Sequence, residues 1–200
     1  MITRRILKRK TGKIGELNYR KELNMGLRTI VTLPDPVLRR KARPVTKFDS
    51  DLQNLIEDMI ETMRAAPGVG LAAPQVNVSE RLIVVEYAEN EDEEDTDEKP
   101  AKKKLYVMLN PEIVKASEET ELGVEGCLSI PGVVGEVERF SMIQVKGLNR
   151  HGKSLKVKAE GWLARIFQHE IDHVNGIVFP DRATRVWKPE PEDEATIDLE

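Results

Sequence analysis

Gln168-His169-Glu170-Ile171-Asp172-His173 places two histidines four residues apart. On a helix that spacing turns both imidazoles the same way, close enough to share one metal ion. A neighbouring carboxylate could then move protons. At about 100° per residue, Glu170 lies about 100° from His169 and about 60° from His173, and Asp172 has the mirrored offsets, so geometry leaves both acids open. The metalloprotease precedent for this spacing gives the general-base role to the residue directly after the first histidine, here Glu170. The plainer alternative is a helix whose histidines and acids form surface pairs.

A catalytic site with two histidines needs a third protein ligand and one position left for water. The sole cysteine, Cys127, is the natural candidate, because Glu125-Gly126-Cys127-Leu128-Ser129 sets it after a glycine that lets backbone approach closely. Taken alone, such a cysteine reads as inert packing. It also cannot form an intrachain disulfide, so the chain needs no oxidising compartment. A third stretch, Gly68-Val69-Gly70-Leu71-Ala72-Ala73-Pro74-Gln75, joins small residues to a side-chain amide. By itself it could be a helix stop followed by a turn.

Together the three segments resemble the peptide deformylase family. Its motifs read glycine-apolar-glycine-apolar-alanine-alanine-x-glutamine, glutamate-glycine-cysteine-apolar-serine and glutamine-histidine-glutamate-x-aspartate-histidine. Every fixed position is present in the family's order, from about Gly26 to Arg182. The resemblance implies a metal-dependent hydrolase that removes the formyl group from N-formylmethionine on newly made proteins. Cys127, His169 and His173 would hold the metal, and Glu170 would act as base and then acid. The Gln75 amide and the Leu128 backbone N–H would stabilise the oxyanion. Substrate would lie as an extended strand along Gly68 and Gly70, with Val69, Trp162 and Ile166 walling a methionine pocket, unless those three are ordinary core. Arg139 and Asp172 resemble a pair that steadies the histidine helix, and Glu125 would orient a ligand. A cysteine with two histidines suits zinc by softness, but the family characteristically uses ferrous iron, one per chain, and works with nickel or cobalt.

Two features depart from the family. Val134 stands where well-studied members often place an arginine that contacts the downstream peptide, and the end of the chain is acidic where some bacterial members carry a basic ribosome-docking helix. The rival enzyme reading is a zinc endopeptidase with the same helix motif, whose ligands would come from histidines and acids rather than a thiol. A non-catalytic metal-binding domain needs a closed fourth position. His151 does not supply it, because Asn149-Arg150-His151-Gly152 reads as an exposed turn.

The surrounding pattern must position these groups. At 200 residues and 40% hydrophobic content, one domain with tails is expected, and the 33% charged content points to solvated segments. Leu52, Leu55, Ile56, Met59, Ile60 and Met63 recur at helical spacing behind a Ser50–Gln53 capping box, so a helix is predicted from Ser50 to about Ala66. Strands are predicted at 81–87, 105–109, 143–148 and 154–159, and a helix at 161–175 stopped by Gly176. The class is α+β, a mainly antiparallel sheet wrapped around the helix that bears the histidines.

Residues 88–103 form a self-repelling run of acids followed by lysines and read as a solvated insert within a catalytic domain at 26–185. An acidic tail follows at 186–200. Before it all, a basic arm at 1–25 carries lysines and arginines but no serine, unlike a transit sequence. It is the expected point of transient ribosome contact, since clustered Lys and Arg suffice to touch RNA phosphates. No specific DNA binding is expected. Met25 is an alternative start, no apolar run suits secretion or a membrane, and the cytoplasm is the expected location.

Overall fold

The computed structural model describes residues 26–66, 68–88 and 103–189. The basic arm, nearly all of the charged insert and residues 190–200 of the tail lie outside them. Helix α1 spans Ser50–Ala65 and buries the expected stripe of leucine, isoleucine and methionine. Its cap differs from the expected one. Asp49 takes the N-cap, its carboxylate accepting from Leu52 N at 3.2 Å. A carboxylate there also meets the positive end of the helix dipole, so Ser50 becomes the first helical residue instead of the cap.

Eight strands follow among the described residues. The larger sheet contains β1 (Gly70–Ala72), β2 (Leu82–Tyr87), β3 (Lys104–Ala116), β6 (Met142–Leu148) and β7 (Ser154–Glu160), in the spatial order β1-β2-β3-β6-β7. The smaller contains β4 (Thr120–Gly126), β5 (Val134–Phe140) and β8 (Arg185–Trp187), in the order β4-β5-β8. All these pairings are antiparallel. Helix α2, Gly161–Val174, packs against strands of both sheets. Gly176 stops it with φ +78°, a conformation open to glycine. The α+β architecture is the one read from the sequence.

The apolar run of β2 shows how the layers meet. Ile83 and Val85 join the core of α2, with Phe167, Ile166, Leu163 and Ile171, whereas Leu82 and Val84 join the core of α1, with Met59, Met63 and Leu55. Successive strand residues face opposite ways, so β2 is covered by a helix on each side. Burying each such side chain contributes about 1.5–3 kcal/mol. The two helices thereby hold the larger sheet between them, and α2 reaches on to the smaller one.

Candidate metal centre

The two imidazoles meet at one end of α2. His169 Nε2 and His173 Nε2 lie 3.2 Å apart, and Cys127 Sγ is 3.2 Å from His173 Nε2. All three ligand atoms fall within 4.8 Å of one another. A metal bound tetrahedrally at about 2.0–2.3 Å would separate such donors by roughly 3.3–3.6 Å, so the donor set fits one ion. Cys127 reaches the helix because β4 ends at Gly126, one residue before it. The order of the strands therefore brings together residues more than forty positions apart.

Hydrogen bonding sets the orientation of His169, one of the candidate ligands. Glu125 accepts from His169 Nδ1 at 2.9 Å, which leaves Nε2 to face the other ligands. The same carboxylate accepts from Arg139 Nε at 2.9 Å and Nη2 at 3.0 Å, and from Arg165 Nη1 at 3.0 Å. Asp172 accepts from Arg139 Nη1 at 2.5 Å and from Arg182 Nε and Nη2 at 2.6 and 2.7 Å. Two buried acids are thus held by three arginines. Burial alone would raise the Glu125 carboxyl, but hydrogen bonds from Arg139 and His169 hold it well below the usual range. Burial likewise opposes charge on His169, yet its bonds with Cys127 and Glu125 hold that imidazole well above its usual value. Burial and the neighbouring His169 push His173 well below. Ion binding competes with protons on such ligands.

Glu170 differs from these acids. It is 4% exposed and its Oε2 has no hydrogen-bond partner among the described residues. Burial pushes its carboxyl up to about 7. Its other oxygen packs over Gly70 on β1, where an added Cβ would stand 2.4 Å away, so a side chain at this strand position would displace the Glu170 carboxylate. Gln75 is buried beside the thiol. Its Oε1 accepts from Ala72 N at 2.8 Å, which turns Nε2 toward Cys127 Sγ at 3.6 Å.

The remaining sequence candidates fall nearby. Leu128 follows Cys127 and its side chain lies against Gly68, while Val69, Trp162 and Ile166 belong to or pack on the α2 core. Val134 is buried in β5 between Gly126 and Trp187. His151 stays exposed in its turn, away from the ligand cluster.

Arg165 and Arg182 went unread in the sequence. Arg165 also donates to Val137 O at 2.9 Å and Glu121 O at 2.7 Å, tying β4 and β5 to α2. Its guanidinium occupies the space above Gly123, where a Cβ would meet it at 2.7 Å. One signal was available: Arg165 sits one turn before His169, between the apolar Leu163, Ala164, Ile166 and Phe167, and a buried arginine demands an acid. Nothing local marks Arg182.

The family model for polypeptide deformylase matches residues 27–188. A peptide deformylase of Symbiobacterium thermophilum is 53% identical over 84% of this chain and 72% of its own length. That of Halothermothrix orenii is 51% identical over 76% of this chain and 90% of its own. Among solved structures, the peptide deformylase of Thermotoga maritima aligns with a TM-score of 0.71 at 43% identity, covering 80% of this chain and 99% of that one.

Proposed function

The chain belongs to the peptide deformylase family, and on that footing we propose that it hydrolyses the formyl group from the N-formylmethionyl end of newly synthesised proteins, releasing formate. The observation that carries this reading is the convergence of Cys127, His169 and His173 beside a buried carboxylate with one unpartnered oxygen. Those three residues would hold ferrous iron, one per chain, and the same ligands accept zinc, nickel or cobalt. Bound there, the ion would supply a Lewis acid and make water nucleophilic near neutral pH.

Glu170 takes the proton of the attacking water and hands it to the departing amine. Its elevated carboxyl value suits both halves of that exchange, and a nearby cation draws it back toward the ionised form. Gln75 Nε2 and the Leu128 backbone N–H donate to the oxyanion as it forms. The peptide backbone adds along β1, which is an edge strand of its sheet and, among the described residues, pairs only with β2. Val69, Trp162 and Ile166 wall the methionine side chain. Val134 offers no charge to the downstream peptide.

Among the described residues no helix is long and apolar enough to cross a membrane, and the reading places the enzyme in the cytoplasm. Ribosome contact, in a chain that keeps residues 1–25, would fall to that basic arm. The test is formate release from a formyl-Met peptide by metal-replete enzyme under reducing, oxygen-poor conditions, with acetyl-Met and internal peptides as controls. Absence of formate, or equal cleavage of the controls, overturns the reading.

A further inference from the structure

Asp58 and Thr62 stand one turn apart on the buried stripe of α1, 7% and 4% exposed, where the other buried residues are apolar. Both hold the same short segment. Gly26 N donates to Asp58 Oδ1 at 2.8 Å, and Arg28 grips Oδ2 through Nε at 3.0 Å and Nη2 at 2.9 Å. Arg28 N donates to Thr62 Oγ1 at 2.9 Å, and that hydroxyl donates to Asp58 O at 2.7 Å. The segment then runs behind the catalytic residues. Val31 N donates to Gln75 O at 2.8 Å and Leu33 N to Ser129 O at 3.0 Å.

We propose that Asp58 is the seat of a free α-ammonium at Gly26: the working chain is initiated at Met25 and loses first its formyl group and then its methionine. A buried carboxylate gains about twice as much from a charged donor as from a neutral one, and an ammonium brings three donors where a peptide nitrogen brings one. Packing among the described residues does not explain the glycine, since a Cβ at position 26 meets none of them within 4 Å and its φ lies outside the left-handed region. A residue with no side chain directly after Met25 instead suits removal of that methionine. The family match begins at residue 27, and 80% of this chain covers 99% of the Thermotoga maritima enzyme.

The chemistry balances with two waters. One adds to the formyl carbon, the C–N bond breaks, formate leaves and the α-nitrogen takes the proton. A methionine-specific aminopeptidase uses the second on the Met25–Gly26 bond, releasing methionine and leaving an amine that is protonated near neutral pH. The first step rests on the deformylase reading and makes the enzyme's own nascent chain one of its substrates; the seat at Asp58 does not rest on it.

Mass-spectrometric mapping of the chain isolated from its own cells is expected to find Gly26 at the amino terminus, and peptides from residues 1–25 in that chain would overturn the proposal. A second test compares Asp58→Asn in two forms, the full 200-residue chain and the chain beginning with free Gly26, since residues from 26 onward contain both hydrophobic cores and every strand pair described. The substitution is expected to lower the melting midpoint of the Gly26 form by about 3 °C or more beyond its effect on the full chain. Equal shifts overturn the seat. Formate release from a formyl-Met peptide is measured on both metal-replete forms alongside. No release with unequal shifts removes the deformylase reading and keeps the seat, and release with equal shifts does the reverse.

Discussion

Helices α1 and α2 cover opposite faces of one strand with similar apolar stripes, yet they bury different things. Besides hydrocarbon, α1 buries only Asp58 and Thr62. Helix α2 buries Arg165, Gln168, Glu170, Asp172 and His173 as well. Buried polar groups persist where partners meet them, and α2 receives its partners from the smaller sheet: Arg139 and Glu125 on the inner side of β5 and β4, and Phe140, whose backbone both gives to and takes from the Gln168 amide. On α2 the buried side-chain atoms left without a partner among the described residues are Trp162 Nε1, His173 Nδ1 and Glu170 Oε2, and the last is the oxygen proposed to exchange a proton. A helix can therefore be a floor or a workbench on the same stripe, according to what the facing layer supplies.

Removing a ligand should separate the helices most sharply. His169→Ala or His173→Ala is expected to lose metal and activity together, because each strips one of three donors. Metal analysis beside turnover checks it, and a metal-free variant that still released formate would break the contrast. Next in size is Glu170→Gln, which keeps shape but not the proton acceptor. Turnover should fall by roughly 10²-fold or more with metal retained. Asp172→Asn should instead weaken the grip of Arg139 and Arg182 and act on stability or ligand orientation. If Asp172→Asn alone abolished turnover with metal bound, the two acids have been given the wrong roles.

Met59→Ala makes the opposite test on α1. Met59 is completely buried and distant in kind from the chemistry, so the cavity should cost about 2–5 kcal/mol of stability and leave kcat of the folded fraction unchanged. Denaturant unfolding with a parallel assay reads both. Arg165 falls between the extremes, as a positioning residue that acts through Glu125 and β4. Arg165→Met is expected to weaken metal affinity by about 10-fold or more and to alter the visible spectrum of the cobalt form, with Arg165→Lys restoring part of each. An unchanged cobalt spectrum would reduce Arg165 to packing.

This pattern of partners explains what the sequence could disclose. The helix of His169 and His173, the α1 stripe and the run at β2 are local periodicities, and they were legible. Strand β4 was not, because its alternation is inverted: Leu122 and Val124 face solvent at 60% and 37% exposure, while Glu125 turns inward and is buried. Hydrophobicity marks an inward face only when the inner layer is apolar, and here it is a layer of salt bridges. Strand β1 has three residues and β8 three more, too short for any period. Arg182 reaches Asp172 by a turn after α2 whose residues announce nothing. The candidate ligands were readable as types, then, while the groups that hold them are set by tertiary contact.

The smallest expected effect compares one chemistry at two depths. Arg64 of α1 meets Glu86 of β2 through Nε at 2.8 Å and Nη2 at 2.6 Å, a two-pronged arginine–glutamate pair like that of Arg139 with Glu125. The difference is water, since the Arg64 side chain is 54% exposed and that of Arg139 is 4%. An exposed pair contributes at most about 1 kcal/mol, so Arg64→Ala should cost no more than that at neutral pH, and less in high salt. The pH dependence has a definite sign. The hydrogen bond from Arg64 lowers the Glu86 carboxyl against the opposing effect of burial, and a carboxyl lowered in the folded state contributes stability above its unfolded value. That contribution is lost as pH falls through the folded value. Arg64 itself is raised and stays charged throughout. Urea midpoints of wild type and Arg64→Ala should therefore differ slightly at pH 7 and converge in acid. A gap that held its size in acid, or survived high salt undiminished, would mean that Arg64 stabilises α1 through packing of its stem rather than through its charge.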